Sequence, residues 1–126
     1  MTVLLVDDDR AVRTVAKACL ERAGYTVLTA SDGEEGLSVF RRYRDRVELL
    51  ITDVAMPKLD GLKLAAAALV VRPHLPVLFI SGDPPNAERA YACLAKPFTP
   101  GHLVKRVQQA LTTKRMAEVS FPEDTN

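Results

Sequence analysis

Carboxylates directly follow two short apolar runs of this sequence. Asp7 and Asp8 come after residues 3–6 (VLLV), and Asp53 comes after residues 47–52 (VELLIT). If the two runs are neighbouring parallel strands, their carboxyl ends meet at one edge and the three acids converge. Clustered carboxylates repel one another, and a hard divalent cation with oxygen ligands relieves that repulsion; Mg²⁺ also binds phosphate oxygens. The acids therefore predict a magnesium site.

A hydroxyl and an ammonium group follow two further apolar runs. Ser81 comes after residues 77–80 (VLFI), and Lys96 comes after residues 92–95 (ACLA). A carboxylate such as that of Asp53 can act as a nucleophile toward a phosphoryl group, a transfer that needs mainly positioning and charge neutralisation. The lysine can reach one phosphoryl oxygen as a compact charge, and the hydroxyl can hydrogen-bond another. These residue types indicate phosphoryl transfer onto an aspartate.

A parallel sheet is the element that would gather these side chains. Strands are predicted at residues 3–6, 26–30, 47–52, 77–80 and 92–95, and segments with helical spacing of apolar residues lie between and after them. This alternation predicts an α/β fold of five strand–helix units, a doubly wound, flavodoxin-like sheet in the order 2-1-3-4-5. Ligands bind such sheets where the order reverses, at the carboxyl ends of the first and third strands.

Local signals predict where several helices begin and end. Asp8 or Asp9 can cap the first helix. Ser31 and Glu34 have the spacing of a capping box at the start of the second. The last helix is predicted to end near Lys114.

Composition indicates one cytoplasmic domain. The chain has 126 residues, of which 48% are hydrophobic, and its 17 Lys and Arg against 16 Asp and Glu give no sign of a nucleic-acid footprint. No apolar run approaches the roughly 20 residues of a membrane helix, and no signal peptide is recognisable. We expect a domain over residues 1–115 and a polar tail over 116–126.

Cys19 and Cys93 lack CxxC spacing and are predicted to be core residues rather than zinc ligands or a disulfide.

Four motifs together resemble the CheY-like receiver domains of two-component response regulators. They are VDDD at 6–9, TDVAMPKLDG at 52–61, ISG at 80–82 and KPF at 96–98. Each stands at a predicted strand end, and the resemblance covers nearly the whole chain. A lone pair of aspartates would be a weak signal, whereas four motifs in this order are specific.

The resemblance implies a metal set and a phospho-acceptor. Asp53 would accept the phosphoryl group from a sensor histidine kinase or a phosphotransfer protein. Asp8 and Asp53 would bind Mg²⁺, Asp7 would act directly or through water, and the backbone carbonyl of Ala55 would complete the protein ligands. The chain would catalyse only its own phosphorylation and dephosphorylation, so it would not be an enzyme in the ordinary sense.

The resemblance also implies a switch. Ser81 would be the hydroxyl that moves to the phosphoryl group, and Lys96 would be its salt-bridge partner, with a cis peptide bond before Pro97. Asp9 has no role in the family and is interpreted as a helix cap.

Two features depart from the family. The aromatic residue that the family usually has three positions before the lysine is replaced by Cys93, and Tyr91 could substitute for it imperfectly. The stretch from Ser81 to Lys96 is short and holds two prolines, which predicts a shortened fourth helix. We therefore expect that any homodimer avoids the common face formed by the fourth helix, the fifth strand and the fifth helix.

Other functions compete with this interpretation. One is a degenerate receiver that serves as an interaction module without phosphorylation. A haloacid dehalogenase-type phosphohydrolase would need a second acid where Ala55 stands, and an FMN carrier would place phosphate against three repelling aspartates. A stand-alone regulator, a phosphorelay shuttle and a part of a longer hybrid kinase or regulator all remain open.

Overall fold

The computed structural model describes residues 1–82 and 92–120. Within these residues there are five strands and four helices, and a helix follows each of the first three strands and the last one. The elements are β1 (Thr2–Val6), α1 (Arg10–Arg22), β2 (Thr26–Ala30), α2 (Gly33–Arg42), β3 (Val47–Asp53), α3 (Gly61–Val71), β4 (Val77–Ser81), β5 (Ala92–Ala95) and α4 (Pro100–Ser120). The label α4 refers to the last helix, which the sequence analysis predicts to end near Lys114, and not to the shortened helix predicted between Ser81 and Lys96.

All five strands form one parallel sheet in the order β2-β1-β3-β4-β5, as predicted. Successive side chains of a strand point to opposite faces, and here both faces are covered, so Leu4 and Leu5 are each fully buried. One face packs against α1 and α4 around Leu20 and Val107, and the other packs against α2 and α3 around Phe40. Burial on both sides explains why the strands are nearly continuous apolar runs.

The start of α2 differs from the prediction by one residue. Asp32, not Ser31, is the N-cap, and its side chain accepts a hydrogen bond from the Glu35 main-chain N–H at 2.8 Å. Glu35, not Glu34, reaches back to the Ser31 main-chain N–H. Ser31 with Glu34 and Asp32 with Glu35 both have capping-box spacing, so the local sequence could not separate them.

The last helix extends past its predicted end near Lys114. It continues to Ser120 because the residues after Lys114 contain good helix formers and neither glycine nor proline. The boundary between a domain at 1–115 and a tail at 116–126 stays a prediction.

Two predictions fall outside the described residues. The shortened fourth helix would lie within residues 83–91, which also include Tyr91. In the part of the chain that the structure describes, no helix combines the length and apolar character needed to cross a bilayer.

Candidate functional site

The carboxyl ends of β1 and β3 bring three aspartates together. Val6 lies opposite Thr52 in the register of the two strands, so Asp7 and Asp53 are the next residues on adjacent strands. One carboxylate oxygen each from Asp7, Asp8 and Asp53 lies within 4.8 Å of the others. The convergence predicted from the strand ends is therefore confirmed.

The three acids differ in burial. Asp7 is fully buried and Asp53 is only 7% exposed, whereas Asp8 faces solvent. The turn after β1 holds Asp7 in place: its main-chain N–H donates to the Ala30 carbonyl at 3.2 Å, and its Oδ1 accepts from the Asp9 N–H at 2.8 Å. Asp7 is therefore buried and fixed by hydrogen bonds, whereas Asp8 is open to water.

Lys96 joins two of the acids. Its Nζ lies 2.9 Å from Oδ2 of Asp7 and 3.0 Å from Oδ2 of Asp53. The lysine follows the edge strand β5, its main-chain N–H donates to the Ser81 carbonyl at 2.8 Å, and its peptide bond to Pro97 is cis, as the resemblance implied. The ammonium group thus partly neutralises the buried carboxylates.

Ser81 occupies the expected place on the same edge. It is the last residue of β4, the strand next to β3, and it is buried. Asp53 lies opposite Ile80 in the register, so Ser81 is one residue beyond the level of Asp53. A hydroxyl, an ammonium group and three carboxylates therefore share one edge of the sheet.

Burial and charge shift the ionisation of the site. Burial raises the pKa of Asp53, against the opposing hydrogen bond and positive charge of Lys96, and the negative charges of Asp7 and Asp8 raise it further. Burial alone would lower the pKa of Lys96, but the hydrogen bonds and charges of Asp7 and Asp53 outweigh it and raise that pKa. Lys96 therefore remains positively charged at neutral pH, and Asp53 is a more basic carboxylate than one in water.

The loop after β3 packs tightly next to Asp53. The Gly61 N–H donates to the Val54 carbonyl at 2.7 Å, which closes the loop next to Asp53. Lys58, in the same loop, has a φ of 70°, a conformation that favours glycine. Ala55 lies exposed in this loop, two residues after Asp53.

The loop also rests on the start of α2. A Cβ on Gly33 would lie 1.8 Å from the Leu59 carbonyl oxygen, so only glycine permits this approach. The loop that follows Asp53 is therefore held by contacts with a neighbouring helix.

Asp9 is a helix cap, as interpreted from the sequence. Its Oδ1 accepts from the N–H groups of Ala11 at 2.9 Å and Val12 at 3.3 Å, at the start of α1. The sequence had left Asp8 and Asp9 as alternative caps, and the structure assigns Asp9. The Asp8 carboxylate belongs instead to the acidic cluster that it forms with Asp7 and Asp53.

Sequence reasoning missed Arg13. Its Nη1 donates to the Asp7 carbonyl oxygen at 2.7 Å. A usable signal was present, because helical side chains lean toward the N-terminus of their helix and Arg13 stands one turn into the helix that follows the acids. A long basic side chain at that position can reach back to the turn after β1.

The donor set suits a hard divalent cation. All three side chains offer carboxylate oxygens, which magnesium prefers, and the residual negative charge beside Lys96 calls for a further cation. Cys93 is buried in the core, as predicted, whereas Cys19 is half-buried and its thiol donates to the Pro100 carbonyl at 3.3 Å.

Residues 3–108 match the model of the response regulator receiver domain family. The chain is 31% identical to the alkaline phosphatase synthesis transcriptional regulatory protein PhoP of Bacillus subtilis, covering 95% of this chain and 51% of PhoP. It is 32% identical to the sensor kinase CckA of Brucella abortus, covering 87% of this chain and 12% of that protein. The chain thus spans about half or less of the length of these curated relatives.

Solved structures agree with the family match. A response regulator receiver domain protein from Clostridium thermocellum superposes with a TM-score of 0.82 at 32% identity, covering 91% of this chain and 97% of that one. The receiver domain of the hybrid histidine kinase CckA gives 0.79 at 40% identity, covering 88% and 99%. The chain belongs to the response regulator receiver domain family, whose members act in two-component signalling.

Proposed function

We propose that Asp53 accepts a phosphoryl group in the presence of Mg²⁺ and that Ser81 and Lys96 convert this modification into a conformational switch. The observation that carries the proposal is the placement of Lys96, whose Nζ lies within 3.0 Å of Asp53 and 2.9 Å of Asp7. A lysine held between two carboxylates next to a cluster of three supplies the charge balance that phosphoryl transfer requires.

Asp53 is the acid best suited to be the nucleophile. Asp7 is fully buried and Asp8 stands on an exposed turn, whereas Asp53 combines burial with access to the site edge. One of its carboxylate oxygens forms a bond to phosphorus while the bond from phosphorus to the donor's leaving group breaks. In the metal-free site burial raises the pKa of Asp53, so this carboxylate binds a proton more tightly than one in water.

The acids and one carbonyl would hold the metal. Asp7, Asp8, Asp53 and the main-chain carbonyl of Ala55 are the proposed ligands, the first acting directly or through water. Bound Mg²⁺ would neutralise charge on the phosphoryl oxygens. The burial of Asp7 and the hydrogen bond from the Asp9 N–H keep the acids close even though they repel one another.

Phosphorylation changes what Lys96 binds. In the unmodified site Lys96 bonds Oδ2 of Asp53, and formation of the acyl phosphate would move the negative charge outward onto the phosphoryl oxygens. We expect Lys96 to follow that charge. The Ser81 hydroxyl, at the end of the adjacent strand, is expected to bond another phosphoryl oxygen.

The donor is proposed to be a sensor histidine kinase or a phosphotransfer protein. The relatives include a sensor kinase and transcriptional regulators, so both kinds of protein carry sequences like this one. The chain itself would act in the cytoplasm, would not bind nucleic acid or membrane directly, and would turn over no external substrate. Any homodimer is proposed to avoid the face that the shortened helix predicted between β4 and β5 would form with β5 and the last helix.

Incubation with acetyl phosphate and Mg²⁺ tests the proposal, with intact mass as the measurement. The parent protein is expected to gain the mass of one phosphoryl group, and Asp53→Asn is expected to gain none. Asp45→Asn is the matched control, because Asp45 lies exposed outside the site and should be phosphorylated like the parent. Chelation of Mg²⁺ is expected to abolish the gain.

A parent protein that folds, binds no Mg²⁺ and gains no mass would overturn the proposal in favour of a degenerate receiver. Rapid multiple turnover of a generic phosphomonoester would instead revive the phosphohydrolase. Mass gain retained in Asp53→Asn would move the acceptor to another residue.

A further inference from the structure

We infer that Arg13 is a positioning residue for the magnesium site, acting through the peptide bond that joins Asp7 to Asp8. The inference rests on the proposed metal-binding function and adds a residue that has no part in the ligand set. Its basis is the hydrogen bond from Nη1 of Arg13 to the Asp7 carbonyl oxygen, at 2.7 Å.

The Asp7 carbonyl needs a donor from the protein. Asp7 is fully buried, so bulk water does not reach its main chain, and a buried carbonyl without a partner is costly. Its N–H is already bonded to Ala30 on β2. Arg13 therefore completes the main-chain hydrogen bonding of Asp7 from a different element, α1.

This carbonyl also controls the direction of Asp8. The oxygen belongs to the peptide plane between the two acids, and fixing that plane limits how the chain can rotate at their junction. Asp7 is further held by the Asp9 N–H on its Oδ1, at 2.8 Å. With Arg13 in place, the exposed Asp8 carboxylate leaves the turn in one direction, toward the cluster it forms with Asp7 and Asp53.

A fixed negative charge also acts on the guanidinium group. The carboxylate of Glu35 is held by the Ser31 main-chain N–H at 2.6 Å and by the Ser31 hydroxyl at 2.8 Å. These hydrogen bonds lower the pKa of Glu35, and the positive charge of Arg13 contributes in the same direction. The hydrogen bond to Asp7 is therefore supported by electrostatic attraction to the start of α2.

Two possible roles of Arg13 predict opposite changes in Mg²⁺ affinity when its charge is removed. If Arg13 acted only as a nearby positive charge, its removal would tighten Mg²⁺ binding, because one repulsive charge is lost. If Arg13 orients the peptide between the acids, its removal weakens binding, as loss of an outer partner of a metal site typically does. The sign of the change therefore identifies the role.

The test is Mg²⁺ titration by calorimetry on Arg13→Gln, Arg13→Lys and Arg10→Gln, with urea unfolding of each. Calorimetry suits a chain that contains no Trp. Arg13→Gln is expected to raise the Kd for Mg²⁺ about tenfold. Arg10→Gln removes the same charge from an exposed position at the start of α1 and is expected to leave the Kd within about twofold.

Arg13→Lys keeps the charge but has a shorter reach and lacks the planar fork of guanidinium donors, so its Kd is expected to lie between those of Arg13→Gln and the parent. If Arg13→Gln does not fold, the test depends on Arg13→Lys. A Kd of Arg13→Lys for Mg²⁺ equal to that of the parent would then overturn the inference. An unchanged or lower Kd in a folded Arg13→Gln, with or without lost stability, also overturns it. Failure of the parent to bind Mg²⁺ would instead reject the proposed metal site itself.

Discussion

A methyl group placed on Gly61 would lie 2.0 Å from the main-chain carbonyl oxygen of Asp53. No real side chain tolerates that distance, so the start of α3 packs against the backbone of Asp53 only because residue 61 lacks a Cβ. Asp53 and the helix that follows its loop are therefore one packing unit.

Gly61→Ala is expected to lower the free energy of unfolding by about 1–3 kcal/mol, because either Asp53 or the start of α3 must move. The displacement should also slow phosphorylation by acetyl phosphate. Urea unfolding and intact mass measure the two effects. Gly101→Ala is the matched control: a Cβ there meets nothing within 4 Å, and this exposed helical position should gain up to about 1 kcal/mol. Parent-like behaviour of Gly61→Ala would contradict the packing argument.

Asp53→Asn is expected to stabilise the folded protein near neutral pH in Mg²⁺-free buffer, by on the order of 1 kcal/mol. Burial raises the pKa of Asp53, so the folded protein binds this proton more tightly than the unfolded chain does. Protonation of Asp53 therefore favours folding, and that stabilisation is lost as the pH rises through the folded pKa. An amide, which never ionises, keeps it.

The advantage of Asp53→Asn should shrink as the pH falls through the raised pKa toward the ordinary value of 3.8. Urea unfolding across this range measures the difference, with Asp45→Asn as an exposed control that should show none of it. A stability difference that grows on acidification would show that burial of Asp53 does not govern its ionisation.

Lys96→Gln is expected to separate metal binding from phosphoryl transfer. Removing a positive charge 3.0 Å from Asp53 should leave Mg²⁺ affinity equal or tighter, while phosphorylation by acetyl phosphate should slow on the order of 10–100-fold. Calorimetry and the time course of the mass gain measure the two. Lys105→Gln, an exposed position on α4, should change neither. Loss of Mg²⁺ binding in Lys96→Gln would mean that the lysine holds the acids in place rather than serving the transferred group.

Alanine substitutions of Asp8 and Asp9 are expected to affect different properties, Mg²⁺ affinity for Asp8 and stability for Asp9. Asp9→Ala removes the cap of α1 and should cost about 1 kcal/mol of stability with little change in Mg²⁺ affinity. Asp8→Ala should weaken Mg²⁺ binding strongly without destabilising the helix. Asp9→Ser, which restores a capping oxygen, should recover most of the stability. Strong loss of Mg²⁺ binding in Asp9→Ala would assign that carboxylate to the metal site.

Most of the candidate site follows from the sequence because strand ends carry it. Once the apolar runs are taken as parallel strands, the residues that end β1, β3, β4 and β5 must share an edge, and Asp7, Asp53, Ser81 and Lys96 do so. The bounds of β2 and β5 were predicted to the residue, since short apolar runs between turn residues leave little freedom.

The contacts that hold the site depend on distances that no local pattern encodes. The approach of Gly33 to Leu59 and the positive φ of Lys58 arise only when the loop after β3 meets the start of α2. The hydrogen bond of Arg13 likewise needs the turn after β1 to be folded. Sequence patterns predict which residues meet, whereas tertiary packing sets how they are held.

The strand order supports Asp53 and Lys96 unequally. Asp53 ends β3, which is bonded to a strand on each side, whereas Lys96 follows β5, a four-residue strand at the margin of the described sheet with one neighbour. We therefore expect Asp53 to be held more firmly than Lys96. If Asp53 is phosphorylated as proposed, the resulting movement is expected at the margin of the sheet rather than at its centre.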